Sequence, residues 1–524
     1  MLVSIFNDVI GPVMRGPSSS HCAAALRIGR LARDLMGGEI REVLVEFDRA
    51  GSLPTTHESQ GSDMGLFGGL LGWEATDERL PNSAQALREA GVRVRIETVD
   101  TGDPHPNTYR LTCRNPHGEH SLIAVSTGGG MIEVIGIDGF EVSLFGDRHE
   151  TLIPLAAPDA ALRDRLQAAH PEGEIRLHEN PRGCLLQLSD SRFARADAPR
   201  EGTAGIARLA PVLPVPTRPG IRLPFTTCAA MLQYAGPAPA RTLWELALEY
   251  ERARSGFSDQ EILRRMVDIV RVLRRSIAQG IAGTHYEDRV LGHQSGRFRE
   301  RLEAGRLLDA GALNRMVLYV TALMEVKSAM GVIVAAPTAG ACAALPGAVI
   351  GMAERMGLEE EAMARAMLAA GLIGVFIATE WSFAAEVGGC QAEGGSAAAV
   401  AAAALVTLAD GALSQATAAA SLALQGMLGL ICDPVANRVE VPCLSKNVLA
   451  ASQALSSANL ALADFDPVIP FDEVVAAARQ VANQMPRELR CTALGGLSIT
   501  PTSLALEKQL ASRRARACDA CSCS

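Results

Sequence analysis

The chain has 524 residues, a net charge of −9 and only 4% aromatic residues against 48% apolar ones. That length allows roughly three domains with a sizeable core, and the core must be built from Ala, Leu and Val. The acidic balance, without any large basic block, argues against nucleic acid as a partner. No basic segment followed by a long apolar one opens the chain. The twelve cysteines are therefore expected to be reduced thiols of a cytoplasmic protein, used for metal binding or catalysis.

Residues 1–145 alternate short strands, helices and glycine turns. EVLVEF at 42–47 and VRVRIETV at 92–99 alternate apolar and polar residues, as half-buried strands do. Further strands are expected at 108–113, 121–125 and 131–135. A helix is expected over 23–36, with Ser18, Ser19 and Ser20 as N-cap candidates. Residues 146–203 read as a small ACT-like or degenerate regulatory block, with strand, helix, strand and strand in that order. Five prolines between 204 and 224 make a stiff linker. From 225 to 512 nearly every segment has helical periodicity, and 513–524 reads as a flexible Cys-rich tail. The fold class is thus an α+β N-terminal part followed by a large all-α domain. The almost charge-free stretch 397–431 is read as two buried core helices meeting near Asp410 and Gly411, with no membrane span.

Five loops carry polar chemistry. GPSSSH at 16–21 offers hydroxyls and free amides for a substrate carboxylate, or plain helix capping. The loop at 51–72 holds His57, Glu58, Gln60 and Asp63; the three ionisable ones are acid/base candidates, and all four are candidates for turn residues. His105-Pro106-Asn107 precedes a strand. Ser126-Thr127-Gly128-Gly129-Gly130 is an anion nest or a glycine hairpin. APTAGAC at 336–342 presents Thr338 at a helix entry. Together they suit a small anionic substrate, and no organic-cofactor signature accompanies them. Cys390, Cys432 and Cys443 lie at element ends with spacings far wider than CxxC. They are either core thiols or a three-thiolate metal site with an open position.

In order along the chain, GPSSSH, the 51–72 glycine loop, HPN, STGGG, APTAGAC, EVGGCQAE (386–393), CDPV…VEVPC (432–443) and CTALGG (491–496) resemble the iron–sulfur L-serine dehydratases. The chain looks like the β and α parts of that family fused. The resemblance implies deamination of L-serine to pyruvate and ammonia, with a 4Fe–4S cluster on Cys390, Cys432 and Cys443 and a penultimate tail cysteine, here Cys523, capping the fourth iron. It implies Ser18, Ser20, Ser126 and Gly128–Gly130 as carboxylate donors, His21, His105 and Asn107 lining the pocket, and a homodimer. One departure matters. The family reads GHGTD where this chain reads SQGSD, so Gln60 replaces the expected α-proton base. Glutamine has no accessible pKa for that role, which leaves His57 and Glu58 as candidates. It also leaves open the same chemistry on another β-substituted or 3-hydroxy acid. Lys327, in place of a usual Asn, would favour a second anionic group on the substrate if it faced the site.

Overall fold

The computed structural model of the chain describes residues 2–181, 183–193, 205–217, 220–236 and 241–522. Strand β1 (Val13–Met14) is followed by β2 (Glu42–Asp48), β3 (Arg93–Val99), β4 (Thr108–Asn115), β5 (Gly118–Gly128), β6 (Met131–Ile137) and β7 (Phe140–Leu144). The last six form one sheet in the order β3-β2-β4-β5-β6-β7, parallel only between β2 and β3. Val43, Val45 and Phe47 alternate into its buried face, as the period-two pattern requires. Strand β7 is an addition to the sequence reading. Helices α1 (Ala24–Leu35) and α2 (Ser62–Leu70) pack on each other almost backbone to backbone. A Cβ at Gly65 would stand 2.0 Å from the Cys22 carbonyl, and one at Gly69 2.1 Å from that of Leu26. This close approach fixes where the GPSSSH and SQGSD loops meet.

The small block is built from β8 (His149–Leu155), α3 (Ala160–Ala169), β9 (Glu174–Asn180), β10 (Gly183–Asp190) and β11 (Ala207–Leu209), in antiparallel order β11-β8-β10-β9. Its edge strand β11 comes from the stretch expected to be linker. Beyond it the chain is fastened down. The Asn7 amide bonds the Val215 carbonyl and N–H at 2.7 and 3.0 Å, and the buried Arg254 holds the carbonyls of Val215 and Pro216.

The helical part comprises α4 (Leu243–Ser255), α5 (Asp259–Ala282), α6 (Ala312–Ser328), the short β12 (Ile333–Val334), α7 (Ala344–Met356), α8 (Glu360–Glu380), α9 (Ser396–Leu408), α10 (Leu413–Gln425), α11 (Cys443–Leu462), α12 (Phe471–Gln484) and α13 (Pro501–Ser522), with a few shorter helices between. Alanine-rich α9 is the hub, packed on α7, α8, α10 and α11. Small side chains let helix axes come together at the short end of the usual 8–10 Å range. The α9–α10 break falls at Asp410 (φ +53°) and Gly411. Helix α8 is long and apolar enough to cross a membrane, but 78% of its apolar window is buried in the fold. The chain's start also belongs to this body. Ile5 and Val9 pack against Gly371 and Gly374 of α8, and β1 pairs with β12. The tail expected to be flexible instead continues α13 as far as Ser522; Cys523 lies outside the described residues.

Gly69→Ala should cost roughly 1–3 kcal/mol or more through overpacking and lower the melting temperature, because backbone rather than a side chain must yield. Gly118→Ala, with open space around the new Cβ, should melt with the wild type. Equal melting of both variants would show that α1 and α2 separate freely.

Candidate active site

The three serines expected as N-caps do not cap their own helix. Ser19–Ala23 forms one wide π-type turn ahead of α1, and Ser18 makes no side-chain cap bond. The hydroxyls turn toward the helical domain instead. Ser20 Oγ donates to Glu386 Oε1 at 2.8 Å, and Ser19 Oγ accepts the Ala339 N–H at 3.1 Å. A second π-type turn, Gln391–Gly395, leads into α9 just after Cys390. Such widened turns recur at functional sites because they re-aim side chains at a helix entry.

His21 is fully buried and its protons can be assigned. Thr56 Oγ1 spends its only hydrogen on the Ser52 carbonyl at 2.8 Å. It must therefore accept from His21 Nε2, 2.9 Å away. Nδ1 is left as the lone-pair nitrogen, 3.0 Å from the Ser18 hydroxyl and 3.3 Å from Glu386 Oε1. Burial lowers the His21 pKa, and the nearby Glu386 opposes that only in part, so the ring is neutral.

The other expected groups take different roles. His105 Nδ1 accepts the Asn107 N–H at 3.1 Å, which puts its proton on Nε2, and burial lowers its pKa too. His57 is half-buried against both oxygens of Asp63, at 2.8 and 2.9 Å. Burial pulls its pKa down, but the Asp63 bond and charge outweigh that and raise it. Gln60 is wholly buried and donates to Asn437 Oδ1 at 3.0 Å. Ser126 Oγ donates to the Ser20 carbonyl at 2.7 Å, and its N–H to the Asn107 carbonyl at 3.0 Å. Gly128, Gly129 and Gly130 all have positive φ and form the β5–β6 turn; a Cβ on Gly128 would meet Ala384 at 3.0 Å. Thr338 Oγ1 accepts the Ala341 N–H at 3.1 Å and bonds the Glu393 side chain.

Cys390, Cys432 and Cys443 are each at most 6% exposed. The ligand atoms of Cys390, Cys432 and Glu393 lie within 4.8 Å of one another. Cys443 opens α11 and lines a small cavity with Cys390, Glu393, Gly340 and Lys446. Burial pushes the Cys443 thiol up and the Glu393 carboxyl up to about 7. Two lysines flank these groups. Lys446 Nζ bonds Asp433 at 2.6 Å, the Ile431 carbonyl at 2.7 Å and Cys390 Sγ at 3.7 Å. Lys327 is completely buried and donates to the Val439 carbonyl.

Glu386, Glu393, Lys446 and Cys491 were not singled out in the sequence as site residues. The two glutamates are the acidic residues of the quoted EVGGCQAE motif, which was the available signal. Two buried polar atoms here have no partner: Glu386 Oε2 and Asn107 Nδ2. The Asn107–Ser126–Ser20–Glu386 bonds tie them into one pocket.

The profile described as serine dehydratase alpha chain matches residues 240–498. Over 251 residues the chain is 37% identical to the probable L-serine dehydratase alpha chain of Bacillus subtilis, covering 48% of this chain and 84% of that one. Over 150 residues it is 41% identical to that organism's probable L-serine dehydratase beta chain, covering 29% and 67%. The L-serine dehydratase of Streptomyces coelicolor aligns over 512 residues at 28% identity, covering 95% and 99%.

Histidine-selective NMR should find His21 neutral at its ordinary pKa of ~6.5, and Glu386→Gln should lower its pKa further by removing the opposing charge. A rise would refute the assignment. For His57 the folded pKa is raised. Its pairing with Asp63 therefore stabilises fully below about pH 6.5 and fades as pH climbs through the folded value. Asp63→Asn should remove that part of the pH dependence from urea unfolding curves.

Proposed function

The chain belongs to the L-serine dehydratase family, with its β-chain and α-chain parts in one polypeptide, and on that premise we propose that it deaminates L-serine to pyruvate and ammonia using a 4Fe–4S cluster on Cys390, Cys432 and Cys443. The observation that carries the reading is the pair of unpartnered atoms, Glu386 Oε2 and Asn107 Nδ2, joined through Ser126 and Ser20. An unmet buried donor or acceptor costs about 1–3 kcal/mol. An amino acid meets both needs at once, its ammonium donating to Glu386 and its carboxylate accepting from Asn107.

The donor set fits the cluster. Thiolates in a dry pocket need positive charge, and Lys446 and Lys327 both act on Cys443. When bound, the cluster supplies a Lewis-acidic iron that turns the substrate's β-hydroxyl into a better leaving group. The remaining work falls to side chains. Ser20 orients Glu386, and Ser126 fixes the Ser20 backbone. Among the candidate bases, His21 presents its Nδ1 lone pair beside Glu386, the carboxyl with the open oxygen, and we assign it the α-proton. His105 has spent its lone pair on the Asn107 N–H, while His57 holds its Nδ1 proton against Asp63, which leaves His57 Nε2 as the second candidate acceptor. Loss of hydroxide then gives aminoacrylate, which tautomerises and hydrolyses to pyruvate and ammonia. Lys327 is held on the Val439 carbonyl, and its charge acts on Cys443, Glu393 and Glu440, so no second substrate carboxylate is needed to balance it.

Anaerobically purified protein should contain iron and sulfide and form pyruvate from L-serine, and Cys432→Ala should lose both the metal and the activity. Glu386→Gln should raise KM for serine about 10-fold or more, the equivalent of one charge-assisted hydrogen bond. Iron-loaded protein that makes no pyruvate would overturn serine as substrate.

A further inference from the structure

We infer that Cys491 is a fourth thiolate of the metal centre, standing where the metal pocket meets the substrate pocket. This rests on the reading that a cluster occupies the site. Cys390, Cys432 and Cys491 are each 4% exposed and share one pocket with Ala385 and Leu430. Cys432 packs beside both Cys390 and Cys491 in that buried cluster. Thiols are weak donors and weak acceptors, so a row of three gains little from its own S–H bonds. Converging sulfur atoms are what a soft metal centre selects.

The backbone fixes where this side chain points. Cys491 has φ +52°, a left-handed conformation that a non-glycine residue adopts at a cost of roughly 1–2 kcal/mol. It is held there from both sides. The Cys432 N–H donates to the Leu489 carbonyl at 2.9 Å, and Cys432 and Arg490 form a parallel bridge. Beyond it, the Leu497 N–H donates to Asp433 Oδ2 at 3.0 Å. The strand-like bridge thus brings the 491 side chain alongside Cys432.

The opposite side of Cys491 faces Gln60. Gln60 Nε2 lies 3.7 Å from the sulfur and Gln60 Oε1 lies 3.8 Å from it. A primary amide can donate to a thiolate and accept from a thiol. It therefore partners Cys491 in either protonation state, whether the sulfur ligates or stands free. This gives Gln60 a role that a general base would not fill: it positions a displaceable ligand. With a cluster bound, Cys390, Cys432 and Cys443 would hold it, and Cys491 would be the thiolate that a substrate oxygen could replace.

The test compares anaerobically isolated wild type, Cys390→Ser and Cys491→Gly by iron and acid-labile sulfide content and by Mössbauer spectroscopy. Glycine suits the left-handed backbone at 491, so folding is preserved, and circular dichroism verifies it. Cys491→Gly should retain the cluster but shift the parameters of one iron site, as an oxygen donor replaces sulfur. A Cys491→Gly spectrum superposable on wild type, with iron lost in Cys390→Ser, would overturn the role of Cys491 and leave the cluster reading intact. Wild type without iron would overturn both.

Discussion

The hydrogen bond from Ser20 to Glu386 is the contact on which the site depends. Glu386 is buried, and burying a carboxyl without partners is expensive. Its partner in the structure, Ser20, sits on the other domain. The acid is therefore satisfied only when the α+β part docks on the helices, and docking then brings Thr56, Gln60 and Asn107 to the same place. Satisfaction is also incomplete. One oxygen is spent on Ser20 and the other is held open. A carboxyl oriented by a hydroxyl but half unmet is a preorganised acceptor, already desolvated before any ligand arrives.

Charge balance governs the neighbouring thiols. The cluster of cysteines lies in a dry, mostly alanine and leucine environment, where burial works against thiolate formation. Lys446 and Lys327 are the compensating groups; Lys327 is anchored by the Val439 carbonyl, and Lys446 by the Ile431 carbonyl and the buried Asp433. Anchoring matters because a mobile lysine would simply leave for water. The N-terminal segment has a comparable function at larger scale. Glu251 accepts from Ser4 and Ile5, at 2.9 Å each, and so pins the first residues against the helices. From there β1 pairs with β12, immediately before the loop that carries Thr338.

Period-two alternation was enough to place β2 and β3, and an alanine-rich, almost charge-free stretch was enough to place α9 and α10, because in each the pattern itself is what gets buried. The direction of the Ser18–Ser20 hydroxyls was not legible. Serines before a helix ordinarily cap it, and only the opposing Glu386 and the Ala339 amide, some 320 residues away or more in sequence, draw them off. The Pro-rich linker misled for a related reason. Its composition reports stiffness, while its docking depends on Asn7 and Arg254. Cys491 was visible only as part of CTALGG. Nothing local marks it as close to Cys432, since that proximity arises from a single bridge between Cys432 and Arg490.

Proton bookkeeping accounts for the division of labour among the histidines. Each imidazole has two nitrogens, and in this site one nitrogen of each has a partner that dictates its state. A threonine whose hydrogen is already committed forces His21 to donate at Nε2. A backbone N–H forces His105 to accept at Nδ1. A carboxyl pair holds a proton on His57. The three rings therefore offer different free nitrogens, and only on His57 is the charged form favoured, through Asp63. Gln60 is occupied by its own contacts, donating to Asn437 and lying against the Cys491 sulfur.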